Sequence, residues 1–231
     1  LQAPTDASPS RVGKETIFEE VNDVNLLILG ATGPTGRHVL ELALKAGHTI
    51  TVLARRPEAL DDVKDRITVI AGDATHRDDV AKAIRGRDAV ISALGTSKSL
   101  RANGLFTRAA EAVVQAARQH GVTRLVWLSS FGVGDTFRDA SLLQKVMYRT
   151  LLRDIYRDKE AAETILRESG LDWTIVYPTG LTNGPAKGAY RAEARIAMKG
   201  FPTISRADVA DFLLRAVRDD GWLRRHAVIT D

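Results

Sequence analysis

The chain has 231 residues, 44% hydrophobic and 27% charged, the mixture of a globular protein long enough to bury about 70% of its unfolded surface. It contains no cysteine, which excludes disulfides, thiolate metal sites, iron–sulfur clusters and a cysteine nucleophile. Lys and Arg number 33 against 29 Asp and Glu, a formal charge of +4 that favours anionic ligands but falls far short of a nucleic-acid-binding tail.

Residues 1–23 (LQAPTDASPSRVGKETIFEEVND) mix Pro, Ser and charges without an apolar h-region, so they read as a weakly ordered arm and not as a secretory signal. No uncharged apolar run approaches the ~20 residues of a bilayer span, and a soluble, cytoplasmic protein is expected. From Val24 onward, β-branched runs alternate with helical stretches. NLLILG (25–30) is an apolar run closed by glycine, the pattern of a strand buried on both faces. Residues 35–46 then carry Val39, Leu42, Ala43 and Ala46 at helical spacing, with Gly47 as a stop.

TITVLA (49–54), ITVIAG (67–72), AVISAL (89–94) and RLVWLS (124–129) repeat the buried-strand signature, separated by helices over 78–84 and 105–120. One long helix is expected from Leu142 to Ser169, then a sixth strand, WTIVYP (173–178). The turn-rich stretch TGLTNGPAKG (179–188) reads as a loop, and a helix over 207–218 and a strand over 226–230 close the chain. Alternation of this kind predicts an α/β fold, a Rossmann-like doubly wound parallel sheet covered on both sides. No linker divides it, so residues 24–231 are expected to form a single domain with a small C-terminal substrate region.

Between the first strand and the first helix stands Gly30-Ala31-Thr32-Gly33-Pro34-Thr35-Gly36, with glycines three apart where the standard dinucleotide fingerprint is G-x-G-x-x-G. Gly30 permits a sharp turn, Gly33 lets the backbone approach a pyrophosphate, and Gly36 lets the helix pack close to the strand. The helix N-terminus offers free N–H groups and the positive end of its dipole to phosphates. No Lys-Ser/Thr follows the last glycine, which argues against a Walker loop and against ATP or GTP.

The second strand ends in Ala54-Arg55-Arg56-Pro57, with no carboxylate to hold a ribose 2′-hydroxyl. Two guanidiniums there suit a 2′-phosphate, which they can grip with charge-assisted bonds, and Arg37 could add a third charge. NADP(H) is therefore preferred over NAD(H). The five histidines show no metal-ligand spacing, and no metal is expected. The basic stretch 142–159 reads as a solvated face over a buried stripe, so no nucleic-acid partner is expected. Trp127, Trp173 and Trp222 read as packing residues.

GATGPTG, the ARR after the second strand, GDATHRDD (72–79), ISALGT (91–96) and WLSSFGVGD (127–135) together resemble the atypical short-chain dehydrogenase/reductases. LRESGLDWTIVYPTGLTNGPAKGAY (166–190) and ISRADVADFLL (204–214) extend the match. More narrowly, the chain is similar to the NAD(P)H-binding group that includes NmrA-like proteins and the flavin reductase (biliverdin-IXβ reductase) branch. The resemblance implies that Gly30, Thr32, Gly33, Pro34, Thr35 and Gly36 wrap the pyrophosphate. By the same resemblance Arg55 and Arg56 face the adenosine phosphate, and Asp73 and Ala74 lie at the adenine edge. Ala93, Leu94 and Gly95 would pass under the ribose and nicotinamide, with Ser129 at the end of the fifth strand among the cofactor residues. Pro178, Thr179, Gly180 and Leu181 would line the carboxamide and the substrate mouth.

In the wider superfamily a Ser, a Tyr and a Lys four residues after the Tyr assist hydride transfer. Ser130 and Lys159 match two of these positions. The residue four before Lys159 is Ile155, and the tyrosine stands one position on, at Tyr156. Adjacent helical residues point about 100° apart, so Tyr156 has two readings, a displaced catalytic tyrosine and a residue of ordinary helix packing. The flavin reductase branch also lacks the standard tyrosine, and there the resemblance implies that the pocket mainly orients an electron-poor acceptor.

The expected activity is NADPH-dependent reduction of a small conjugated acceptor of flavin, quinone or carbonyl type. A non-enzymatic NADP(H)-binding regulator or assembly factor and an NAD(P)-dependent epimerase or isomerase stay open beside it. The expected partner is a small-molecule substrate. Residues 131–138 and 182–192 are the loops whose shape would choose it, and oligomeric state is not legible.

Overall fold

Strands and helices alternate along the computed structural model, which describes residues 23–96, 99–198 and 200–231. Eight strands form the main sheet. They are β1 (Asn25–Leu29), β2 (Thr49–Ala54), β3 (Thr68–Ala71), β4 (Ala89–Ser92), β5 (Arg124–Leu128), β6 (Asp172–Pro178), β8 (Arg191–Glu193) and β10 (Arg225–Thr230). Their order is β3-β2-β1-β4-β5-β6-β10-β8, with every pair parallel except the edge pair of β8 with β10. The expected doubly wound α/β architecture is therefore present. From β1 the chain runs outward through β2 and β3 and then crosses back to β4 on the other side of β1, which opens a crevice at the carboxyl ends of the strands.

The apolar strand runs fold this way because alternate residues feed alternate cores. Leu27 and Leu29 of β1 join a cluster with Val113 of α3 (Leu105–His120) and Leu166 of α5 (Arg153–Arg167). Leu26 and Ile28 join the other cluster, with Leu40 of α1 (Pro34–Lys45) and Leu213 of α6 (Arg206–Ala216). All four β1 leucine and isoleucine side chains are fully buried, each contributing about 1.5–3 kcal/mol. α2 (Arg77–Ile84) covers the first face beside α3. No described helix is long and apolar enough to cross a membrane. Of the N-terminal arm expected over 1–23, only Asp23 lies within the described residues; its carboxylate accepts from Thr49 N and Oγ1, both at 2.8 Å.

Two expectations change. The helix expected over 142–169 is two helices, α4 (Leu142–Thr150) and α5. Ser141 and Gln144 form a capping box at the start of α4, with Ser141 N donating to Gln144 Oε1 at 2.9 Å. α5 is pinned to α3, because Asp154 accepts from Ala102 N at 2.7 Å and Asp158 from Phe106 N at 2.9 Å. The break between them brings the Tyr148 and Tyr156 rings to 4.7 Å; residues eight apart on a straight helix lie about 12 Å apart along its axis.

The loop expected over 179–188 contains β7 (Gly180–Thr182), paired in parallel with β9 (Thr203–Ser205) as a second small sheet. Three-residue strands leave no periodicity to read, and their pairing spans more than twenty residues. The far end of that loop is held by Asp208 of α6, fully buried, whose carboxylate accepts from Lys187 N at 3.0 Å and Gly188 N at 2.9 Å.

Arg124, at the start of β5, is a buried pin between β6 and the end of α6. Its guanidinium donates to Asp172 O at 2.6 Å, Thr174 Oγ1 at 2.7 Å, Val217 O at 3.1 Å and also to Ala216 O. Arg124→Met strips those acceptors of their partner, so we expect a loss of about 2–4 kcal/mol. Denaturant unfolding checks this, and a loss within ~0.5 kcal/mol would contradict the role.

Candidate functional site

The site grows from the turn between β1 and α1. Gly30 sits at φ +83°, and a Cβ there would lie 2.6 Å from Ala93 O at the end of β4. Only glycine satisfies both demands. Gly36 is tighter still, since a Cβ would stand 2.1 Å from Gly30 O. Thus Gly30 takes the turn and Gly36 lets α1 pack onto β1. Gly33 differs, with its nearest neighbour Gly30 O at 3.3 Å, which leaves a concave open side. Gly33 is the N-cap of α1, with Pro34 in the first turn, no side-chain cap and no acidic residue there. Uncapped amides and a positive dipole end form a cradle for phosphate, so the residues present fit a dinucleotide.

Ala93, Leu94 and Gly95 run directly beneath this turn, with Ala93 N donating to Leu29 O at 2.9 Å. A Cβ on Gly95 would meet nothing within 4 Å, so the crevice is open there. On the β2 side, Arg55 and Arg56 are exposed, and neither forms an ion pair among the described residues. Asp73 follows β3. Burial opposes its charge, but Thr75 N and Oγ1, both at 2.9 Å, outweigh that and hold its carboxyl below the usual value. Ala74 is buried beside it. Arg37 does not stand free next to them, since it donates to Glu41 at 3.0 Å and grips Asp62 with two nitrogens, one at 3.0 Å.

The carboxyl end of β5 and helix α5 bring Ser129, Ser130 and Lys159 together. Lys159 Nζ donates to Ser130 Oγ at 2.7 Å and stands 4.9 Å from the centre of the Phe106 ring. Burial pulls its ammonium down to about 8, with Glu163 pulling the other way. Ser129 faces the same helix and donates to Glu163 Oε1 at 2.5 Å. Glu163 has no exposed surface. Its other oxygen accepts from Tyr177 OH at 2.6 Å and Arg167 Nη2 at 3.2 Å. Burial pushes this carboxyl up while its three donors oppose the shift, and three donors on two oxygens is the arrangement an ionised carboxylate takes. Arg167 also donates to Tyr177 OH at 2.7 Å, closing the network.

Sequence reasoning missed Glu163, Arg167 and Tyr177. The one available signal was spacing, since Glu163 is one helical turn beyond Lys159. Tyr177 was concealed inside the sixth strand, WTIVYP, where it reads as one more packing residue.

Tyr156 is turned from Lys159 toward the loop after β5. Its hydroxyl donates to Phe131 O at 3.0 Å, its ring stacks on Tyr148, and burial with the neighbouring Tyr148 pushes its pKa up. Among Pro178, Thr179, Gly180 and Leu181, Pro178 O accepts from Phe131 N and Gly180 N donates to Pro202 O, both at 3.0 Å. Thr179 Oγ1 bonds Thr230 Oγ1 at 3.0 Å, toward β10. Leu181 is exposed. Among the described residues, no group of three or more His, Asp or Glu is placed to hold a metal ion.

A family model described as NAD(P)H-binding matches residues 30–220. The chain is 26% identical to the reductase pytE of Aspergillus terreus, over 89% of this chain and 97% of that protein. It is also 26% identical to YhfK of Bacillus subtilis, named as an uncharacterized sugar epimerase, over 90% of this chain and 94% of that one. Among solved structures it is similar to ChuY, an anaerobillin reductase from Escherichia coli O157:H7. That match has a TM-score of 0.75 and 26% identity, covering 89% of this chain and 96% of the other.

Proposed function

The chain belongs to the NAD(P)H-binding family, and from that premise we propose that it is an NADPH-dependent reductase of a small, flat, electron-poor acceptor of flavin, quinone or carbonyl type. The observation that carries the reading is the buried Lys159–Ser130 pair, 2.7 Å apart, at the carboxyl end of β5. Reductase-named relatives support it.

When bound, a reduced nicotinamide supplies a hydride. The protein's part is to bind and orient. The turn 30–36 and the first amides of α1 hold the pyrophosphate. Lys159 has three donors; one holds Ser130 Oγ, and the others serve the ribose hydroxyls. Ser130, kept in place by Lys159, aims its hydroxyl at the acceptor atom that gains negative charge. Tyr156 takes the packing reading, since its proton is engaged by the Phe131 carbonyl, and it positions the loop that carries Ser130. An electron-poor acceptor needs little acid assistance, so orientation carries most of the rate. Purified protein with NADPH and a panel of flavins, quinones and carbonyls tests this. Acceptor-dependent NADPH oxidation is expected, and its absence across the panel would overturn the reading.

The similarity to YhfK favours a second reading, an epimerase that uses its cofactor transiently. It would interconvert a sugar without net NADPH consumption, which the same assay separates.

The cofactor preference rests on Arg55 and Arg56. The double change Arg55→Ser with Arg56→Ser should weaken NADPH binding by about 10–100-fold, since charge-assisted bonds to phosphate contribute about 1.5–3 kcal/mol. NADH binding should change by less than about threefold, and nicotinamide fluorescence titration reads both. Equal losses for the two cofactors would remove the 2′-phosphate assignment.

A further inference from the structure

The exposed large hydrophobic side chains among the described residues are Leu100, Val146, Met147, Leu151, Leu181 and Phe201. They stand in three connections. Leu100 lies between β4 and α3, Leu181 and Phe201 lie between β6 and α6, and the other three lie in and just after α4, between β5 and α5. Each connection leaves the carboxyl end of a parallel strand, so the apolar exposure is gathered at one end of the sheet. The bond from Ala102 N to Asp154, at 2.7 Å, draws Leu100 and Arg101 to the corner between α4 and α5, where Leu151 stands. Val146 is 60% and Leu151 56% exposed, which no folding contact explains; contiguous apolar exposure marks a surface that meets something else.

That surface is basic as well as apolar. From Ala140 to Arg153 the chain carries Lys145, Arg149 and Arg153 and no acid. Arg101, Arg149 and Arg153 are exposed, and among the described residues none of the three forms an ion pair. Along α4 and its end, Lys145 with Arg149, Val146 with Thr150 and Met147 with Leu151 make three rows at i,i+4 spacing, about 100° apart. Gln144 and Tyr148 are buried behind them. The outward side of α4 therefore passes from cationic to apolar around its circumference.

We infer that this end of the sheet docks on an anionic lipid surface. Leu100, Val146, Met147 and Leu151 enter the boundary between headgroups and acyl chains, and Arg101, Arg149 and Arg153 meet the lipid phosphates. Apolar side chains projecting from a convex helix and its corner suit a fluid surface that closes around each of them. The long arginine stems let the charges stay at headgroup depth, and cations without protein partners select an anionic leaflet. A protein partner would have to supply a separate recess for each projecting side chain. The glycine turn, Ser130 and Lys159 stand at the same end of the sheet, so docking turns the crevice toward the lipid.

The test is cosedimentation of the purified protein with vesicles of phosphatidylcholine alone and of phosphatidylcholine with about 30% phosphatidylglycerol, at about 0.1 M salt. Binding to the anionic vesicles should be at least about 10-fold tighter. Arg149→Gln with Arg153→Gln should lower it about 10–30-fold, and Val146→Ser with Leu151→Ser at least about 10-fold. Lys45→Gln with Arg85→Gln removes two exposed charges from the far ends of α1 and α2, at the amino end of the sheet, and should leave binding within about threefold. All six side chains are exposed, so thermal unfolding should be unchanged in each variant. Equal binding to the two vesicles would overturn the inference and assign the apolar face to a protein partner. Equal losses from the two charge variants would overturn it as adsorption by net charge alone. Undiminished binding by Val146→Ser with Leu151→Ser would also overturn it. Sedimentation reads binding without any acceptor, so the result stands whether or not the protein proves to be a reductase.

Discussion

Replacing Lys159 by methionine should lower kcat/KM for NADPH oxidation by about 10²–10³-fold with the fold retained. The side chain is buried, its Nζ is 2.7 Å from Ser130 Oγ, and its neighbour is the Phe106 ring. Methionine fills a similar volume and keeps the contact with the ring, so what is lost is the charge and its three donors. One hydrogen bond to Ser130 and the two proposed to the ribose, all made by an ionised group, would account for a barrier change of about 3–4 kcal/mol. Retention of turnover within about tenfold would remove Lys159 from the machinery.

The same residue predicts a pH profile. Burial pulls the Lys159 ammonium from its ordinary 10.5 to about 8, so kcat/KM should decline as pH rises through about 8. In Lys159→Met that limb should vanish. The sign of the stability effect is opposite. Between about 8 and 10.5 the unfolded chain binds this proton and the folded one does not, so the contribution of Lys159 to stability increases with pH over that window. A rate that falls over this range while the contribution of Lys159 to stability increases cannot be ascribed to unfolding at that residue. Glu163→Gln should move the descending limb to lower pH, because the carboxylate that favours the protonated amine is gone. An unmoved limb would mean that Glu163 does not act on Lys159.

Gly36→Val should abolish NADPH binding, with at least about 100-fold loss of affinity, and cost about 1–3 kcal/mol of stability. The Cβ alone would lie 2.1 Å from Gly30 O and 2.7 Å from Gly30 C. Both are rigid backbone, so α1 must move off β1 and carry its free amides away from the pyrophosphate. Gly33→Ala provides the contrast. There the Cβ meets only Gly30 O, at 3.3 Å, and what it obstructs is the open side of the turn. Its expected result is weak NADPH binding in a protein of near-native stability, read by fluorescence titration beside thermal unfolding. If Gly33→Ala bound NADPH normally, the pyrophosphate would not lie at this turn.

Much of this was legible in residue order. The buried strands β1, β2, β4, β5 and β6 are dense runs of β-branched and aliphatic residues, and α3 was delimited at both ends. The glycine motif carried its own geometry, because close backbone approach excludes every other residue at Gly30 and Gly36. Arg37 was less legible, since nothing local reveals that Asp62, 25 residues on, takes up its charge. Tyr156 raised the right question, whether a tyrosine one position out of phase still faces the substrate. Its hydroxyl goes to Phe131 O, and Tyr148 reaches its ring only across a break in the helix that no proline or glycine marks.

By itself the sequence determined the α/β alternation, the glycine-rich turn after β1 and the paired arginines after β2. These are local properties, set by backbone stereochemistry, side-chain periodicity and charge within a few residues. Only the tertiary structure decided which polar groups meet. Ser129, Glu163, Arg167 and Tyr177 come from β5, α5 and β6, and form one buried network because a carboxylate without surface must collect donors from whichever elements pack against it. The same packing turned Arg153 and Arg157 to the one face of α5 that neither the sheet nor α3 covers. There they remain exposed.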